Sequence, residues 1–282
     1  MPTIRLIREV RAPSGRGPGN GQYALQRAIR ASAPEWLKIG GPLRDGDIPW
    51  FWSWEDREPA ALCARTARPL VAGPNILFAD SRHPCGIEAE REICRAASCR
   101  LLFTESPWYR DLIHRHLGPA NHAPIVVWPY PIDPRPGNPL PAEYDLLIYE
   151  KSGVCREVID ALCRLWPRSV RLRYGRYRRE HLFEAARRSR CCLYCSDDDR
   201  GPLALAEILL TGCPAIGLPT GAPFVQDGRT GVLLPRFETE ACRQAVALCH
   251  GLDRREVAAH AVGQFDTATI VATIVQSLAG IR

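Results

Sequence analysis

The chain has 282 residues, 46% hydrophobic and 24% charged, with a net charge of +6, which fits a globular protein of one large or two medium domains. No apolar run approaches a membrane span, and Met1-Pro2-Thr3-Ile4-Arg5 lacks the apolar core of a signal peptide, so a cytoplasmic location is expected. The positive charge is nearly all arginine, the only lysines being Lys38 and Lys151.

The pattern predicts a strand over 4–10, then Gly15-Arg16-Gly17-Pro18-Gly19-Asn20-Gly21, then a helix over 23–31. Strand, glycine-rich loop and helix form a layout that cradles phosphate. Its alternating glycines match neither the dinucleotide G-x-G-x-x-G nor a P-loop, and no acid ends the second strand, 36–39, to hold the ribose of NAD. A third strand, 48–54, carries Trp50, Trp52 and Trp54. Packing under the sheet is the better reading of them; lining an acceptor pocket is the alternative. A helix over 56–66 and a short buried strand over 69–75 follow, the strand ending in Gly73-Pro74-Asn75. Then come a helix over 88–97, a strand over 100–106, and a helix opening at Pro107 with Ser106 as its N-cap. Residues 134–141 are too proline-rich for helix or sheet and read as a linker.

Beyond the linker the alternation resumes. Strands are expected at 144–149, 170–174, 191–195, 215–216 and 232–234, with helices at 154–166, 179–188 and from 203. Three helices close the chain at 238–250, 254–262 and 267–278. Such alternation on both sides of a linker predicts α/β architecture: two doubly wound, Rossmann-like domains, 1–134 and 135–282, facing across a cleft that is the expected ligand site. The twelve cysteines show no second cluster at zinc spacing, so reduced core cysteines are expected, and no metal. Arginine is dense from Arg168 to Arg190. That face could meet an anionic membrane, nucleic acid or a phosphorylated ligand; a solvated surface is the favoured reading.

The most informative stretch is Ser196-Asp197-Asp198-Asp199-Arg200-Gly201-Pro202-Leu203-Ala204-Leu205-Ala206-Glu207. It reads as strand end, acidic loop and helix start. Gly201 allows close backbone approach, and Pro202 suits the first helical position. The N–H groups of Leu203 and Ala204 would point out of the helix start, where an anion is favoured. Asp199 and Glu207 would lie roughly 10 Å apart at a rise of about 1.5 Å per residue, too far to act on one atom. That spacing suits an elongated ligand with hydroxyls at both ends and phosphates between, such as a nucleotide-sugar.

Asp199-x7-Glu207 with Thr211-Gly212-Cys213-Pro214 resembles the Glu-x7-Glu signature of retaining GT-B glycosyltransferases of the family 4 type. Further resemblances follow the family's order: Ser106-Pro107, Pro129-Tyr130-Pro131-Ile132-Asp133, Lys151, and Asp227-Gly228-Arg229-Thr230-Gly231-Val232-Leu233. The resemblance implies transfer of a sugar from a nucleoside-diphosphate sugar to an acceptor with retention of configuration, without cofactor or metal. It implies that Glu207 binds the donor ribose and Asp199 the sugar hydroxyls. Lys151 and the helix start at Leu203 would neutralise the diphosphate. Gly175 would lie near the base, and Arg173 or Arg176 would supply a second cation, because the family's arginine is replaced by Leu146. It places Gly17, Gly19, Asn20 and Gly21 at the cleft, with Asn75 where the family carries a histidine and His83 as the nearby substitute. The departures at Asp199, Leu146 and Asn75 leave open a non-catalytic nucleotide- or sugar-binding protein of the same fold. An inverting transferase or a sugar epimerase is a third reading.

Overall fold

The computed structural model describes residues 2–12, 20–75, 87–117, 123–133 and 135–281. Contacts divide the chain into two units: Met1–Arg11, Gln22–Tyr130 and Thr267–Arg282 in one, Ala12–Gly21 and Pro131–Asp266 in the other.

The first unit contains β1 (Ile4–Leu6), α1 (Gly21–Ser32), β2 (Leu37–Ile39), β3 (Ile48–Ser53), α2 (Arg57–Arg65), β4 (Leu70–Asn75), α3 (Ile87–Arg95), β5 (Cys99–Thr104), α4 (Pro107–Leu117) and β6 (Ile125–Val127). The sheet runs β2-β1-β3-β4-β5-β6, every neighbouring pair parallel. β1 is shorter than the 4–10 expected from its apolar pattern. Gln26 of α1 accepts from Val10 N at 2.8 Å and donates to Val10 O, so its side-chain amide replaces the ladder there. Trp50 and Trp52 are buried, and the Trp50 indole N–H donates to Gly73 O at 2.8 Å. Ser106 caps α4 as read from sequence, accepting from Tyr109 N at 3.2 Å.

The second unit contains β7 (Leu146–Glu150), α5 (Arg156–Leu165), β8 (Ser169–Arg173), α6 (Arg179–Arg187), β9 (Cys192–Cys195), α7 (Leu203–Leu210), β10 (Ala215–Gly217), β11 (Gly231–Leu233), α8 (Thr239–His250) and α9 (Arg254–Phe265). Its parallel sheet runs β11-β10-β9-β7-β8. Both faces are covered, so β7 as far as Tyr149 and all of β9 are apolar instead of alternating with polar residues. Leu147, Tyr149, Cys192 and Tyr194 enter the core cluster beneath α7 and α9. Leu146, Ile148, Leu193 and Cys195 enter the opposite cluster, with α5 and α8 residues.

The last helix, α10 (Thr267–Ala279), groups with the first unit, although the alternation had placed it in the second. The chain breaks at Asp266, whose extended backbone (φ −64°, ψ 123°) stops α9 and starts a new direction. Among the described residues, no helix is long and apolar enough to cross a membrane.

One expectation needs correction. The cysteines are not all reduced, because Cys155 and Cys195 form a disulfide with Cα atoms 6.3 Å apart. Cys155 precedes α5 and Cys195 ends the neighbouring strand β9, so the sheet brings together residues 40 apart in sequence. The arginine-dense stretch is largely ion-paired, five carboxylates serving seven arginines. Arg168 and Arg190 pair with Asp145, Arg171 and Arg173 with Glu150, Arg179 with Glu207, Arg187 with Glu184, and Arg188 with Glu143 and Glu184. Arg176 and Arg178 have no such carboxylate among the described residues.

Candidate functional site

In the second unit the chain passes from β7 outward to β8 and then returns to place β9 on β7's other side. The carboxyl ends of β7 and β9 therefore flank the point where strand order reverses, which is where open α/β sheets bind ligands. Lys151 leaves β7 at this point. Its N–H and that of Ser152 both donate to Cys195 O at 3.0 Å, tying the loop after β7 to the end of β9. The Lys151 ammonium lies 2.5 Å from Asp199 Oδ2 and 5.6 Å from the Tyr174 ring centre.

Asp199 is the one buried member of the acidic triplet; Asp197 is exposed and Asp198 intermediate. Its Oδ2 also accepts from Tyr194 OH at 2.8 Å. Burial pushes the Asp199 carboxyl above its ordinary range, while the charge and hydrogen bond of Lys151 and the Tyr194 hydroxyl pull it back. The acidic loop is held from the opposite side by the segment after β10. Asp199 N donates to Thr220 O at 2.9 Å, and Thr220 Oγ1 donates to Asp197 O at 2.6 Å. Gly221 lies so close that a Cβ there would collide with the Ser196 carbonyl.

Glu207 sits inside α7 and is fully buried. Arg179 Nε donates to Glu207 Oε1 at 2.5 Å, and Arg179 Nη1 to Asp133 O at 3.0 Å. Three buried tyrosines extend inward from Asp199. Tyr194 stacks on Tyr149 with ring centres 5.0 Å apart and planes within 6°, and the Tyr149 and Tyr177 hydroxyls are 2.9 Å apart. The Glu207 carboxylate in turn helps raise Tyr177, whose main perturbation is burial.

Pro202 occupies the N-cap of α7 and not the first helical position expected from sequence. Its φ of −71° is helical but its ψ of 86° is not, and its carbonyl accepts the first helical bond from Ala206 N at 3.1 Å. Leu203 and Ala204 are then the first helical residues, whose N–H groups point out of the helix start, and Gly201 precedes the cap. Gly175 takes φ +72° in the turn after β8, a conformation that glycine adopts without penalty. With Arg176, Tyr177, Arg178 and His181 it lines a cavity of about 470 Å³. Of the two arginines offered as a second cation, Arg173 lies 3.7 Å from Glu150, which also binds Arg171, whereas Arg176 has no carboxylate partner among the described residues.

The structure thus brings Lys151 and Asp199 into contact and pairs Glu207 with Arg179. Asn20 and Gly21 lie at the start of α1, and Asn75 ends β4. Gly17, Gly19 and His83 lie outside the described residues. Among the described residues, no group of three His, Cys, Asp or Glu could hold a metal ion. Sequence reasoning missed Tyr149, Tyr177, Tyr194, Arg179 and Gly221. One signal was present: tyrosine stands at the end of three successive strands, at Tyr149, Tyr174 and Tyr194.

No family model matches the chain, and no curated protein matches it. Solved structures do. The chain is similar to Anabaena HepE in complex with UDP and glucose, at 13% identity and a TM-score of 0.66, covering 99% of this chain and 100% of that one. It is similar to the sucrose-phosphate synthase of Thermosynechococcus elongatus, at 14% identity and a TM-score of 0.67, covering 98% of each chain. The lipopolysaccharide outer core galactosyltransferase WaaB in its apo form gives 11% identity and a TM-score of 0.67, with 99% of each chain covered. At these identities the likeness is one of fold: two parallel-sheet α/β domains of the GT-B type.

Proposed function

We propose that the protein is a retaining, family 4-like glycosyltransferase that moves a sugar from a nucleoside-diphosphate sugar to an acceptor hydroxyl. The observation that carries this reading is the contact of Lys151 with Asp199 at the carboxyl ends of β7 and β9, on a fold shared with a structure holding UDP and glucose. Asp199 binds hydroxyls of the donor sugar, and Glu207, steadied by Arg179, binds the ribose. The base occupies the cavity beside Gly175 and Arg176. The diphosphate lies at Lys151 and the start of α7. A diphosphate carries more charge than one carboxylate, so it competes with Asp199 for the ammonium and is stabilised as it leaves. The chemistry needs no resident cofactor or metal, since a cation and helix N–H groups do the neutralising. The leaving diphosphate helps to deprotonate the acceptor, whose face is assigned to the first unit. The reaction is placed in the cytoplasm.

A non-catalytic nucleotide-sugar sensor is the second reading. It is favoured by Leu146, a fully buried apolar residue where the resembled family has an arginine, which removes one cation from beside Lys151. Thermal-shift titration with UDP-, GDP-, ADP- and dTDP-hexoses tests donor binding, since a ligand that binds the folded state raises its melting temperature. One of these donors should stabilise the wild type, and Glu207→Gln should weaken its binding roughly tenfold to a hundredfold, the worth of a hydrogen bond to a charged group. Slow release of nucleoside diphosphate without acceptor identifies a transferase; donor recovered intact identifies a sensor. Unaltered affinity in Glu207→Gln would remove the ribose assignment.

A further inference from the structure

Both polar contacts to the Asp199 carboxylate fall on one oxygen. Lys151 Nζ and Tyr194 OH lie 2.5 and 2.8 Å from Oδ2. Tyr194 itself is fixed. It is buried in β9, and its ring stacks on Tyr149 of β7, the residue opposite it in the ladder. Tyr149 is in turn held by the Tyr177 hydroxyl at 2.9 Å. The hydroxyl that meets Asp199 is therefore placed by the sheet and not by a mobile loop.

We propose that Tyr194 is a positioning residue that, together with Lys151, occupies Oδ2 of Asp199 and turns Oδ1 toward a hydroxyl of the donor sugar. This rests on the reading of the second unit as the nucleotide-sugar site. One oxygen of the carboxylate is committed to the protein and the other to the ligand. When the diphosphate draws Lys151 away, Tyr194 remains as the donor that keeps the carboxylate ionised and oriented.

Tyr194→Phe tests this, because it keeps the stacked ring and removes only the hydroxyl. The assay is donor hydrolysis across pH with whichever of the UDP-, GDP-, ADP- or dTDP-hexoses stabilises the wild type, alongside affinity for the matching nucleoside diphosphate. The expected result is a kcat lower by roughly tenfold, the scale of a charged hydrogen bond, with nucleoside diphosphate affinity within about twofold. The acid limb of the profile should move to higher pH, since Asp199 loses a donor that favours its ionised form. In Asp199→Asn the limb should disappear, which assigns it. An unmoved limb and unchanged kcat in a folded Tyr194→Phe would overturn the positioning role. So would a parallel loss of nucleoside diphosphate binding, which marks general collapse of the site. If the wild type binds none of the four donors, the reading of the second unit fails and the proposal falls with it.

Discussion

Asp199 turns inward from an otherwise solvated acidic triplet, and the fold holds its charge where water is scarce. Burial raises its carboxyl above the ordinary 3.8 by more than Lys151 and Tyr194 lower it. A carboxyl with a folded pKa above its unfolded one contributes stability at low pH that is lost as pH rises through the folded value. Asparagine carries no such charge. Asp199→Asn should therefore raise the urea midpoint at pH 7, and the gain should shrink to nothing as pH falls below the ordinary 3.8, where wild-type Asp199 is protonated in both states. Equal gains at both pH values would show that charge burial is not the cause. Stability gained at the expense of donor turnover is the pattern of a residue kept for function. Glu207 differs: Arg179 binds it at 2.5 Å, so it is a compensated buried charge. Removing the arginine alone would leave that carboxylate uncompensated, a change that typically costs about 3–5 kcal/mol.

The candidate site is proposed at the loops that follow β7, β9 and β10, and three devices hold these loops in register. The Cys195 carbonyl accepts from Lys151 and Ser152, the Cys155–Cys195 disulfide closes the same two segments, and Thr220 binds the acidic loop from the third. Gly221 sets the closeness of that third contact. Gly221→Ala should push the 218–222 segment off the Ser196–Asp199 loop, destabilise the fold by about 1–3 kcal/mol as overpacking does, and weaken donor binding more than the stability loss accounts for. Urea denaturation and donor titration of one preparation check both parts; a variant as stable and as tight-binding as wild type would refute the contact. The helices and strands were legible in sequence to within a few residues because their apolar periods are strong. β1 was the exception, since a glutamine side chain replaces its ladder after Ile7. The tyrosine column was not read, because stacking between Tyr149 and Tyr194 depends on the register of strands 45 residues apart.

At the scale of the whole molecule, the final helix belongs to the opposite unit from the helix that precedes it. α10 buries Ile270, Val271, Ile274 and Leu278. At about 1.5–3 kcal/mol for each such side chain, their loss rivals the whole stability of a typical domain. A chain ending at Asp266 should therefore be insoluble or lack a cooperative melt, as circular dichroism and sedimentation would show; a soluble product melting like the full chain would mean that α10 is dispensable. The fold class was legible because strand and helix periods, punctuated by glycine and proline, are local properties. Structures 11–14% identical across nearly the whole chain share it. Sequence by itself also determined which acid and which lysine to consider, through the spacing of Asp199 and Glu207 and the scarcity of lysine. Only the tertiary structure decided that Lys151 and Asp199 touch, that Glu207 is answered by Arg179, that Cys155 meets Cys195, and that seven arginines of the basic face share five carboxylates. Each of these depends on which strands are neighbours and in what register, a choice made by burial summed over the whole sheet and written in no short stretch of the chain.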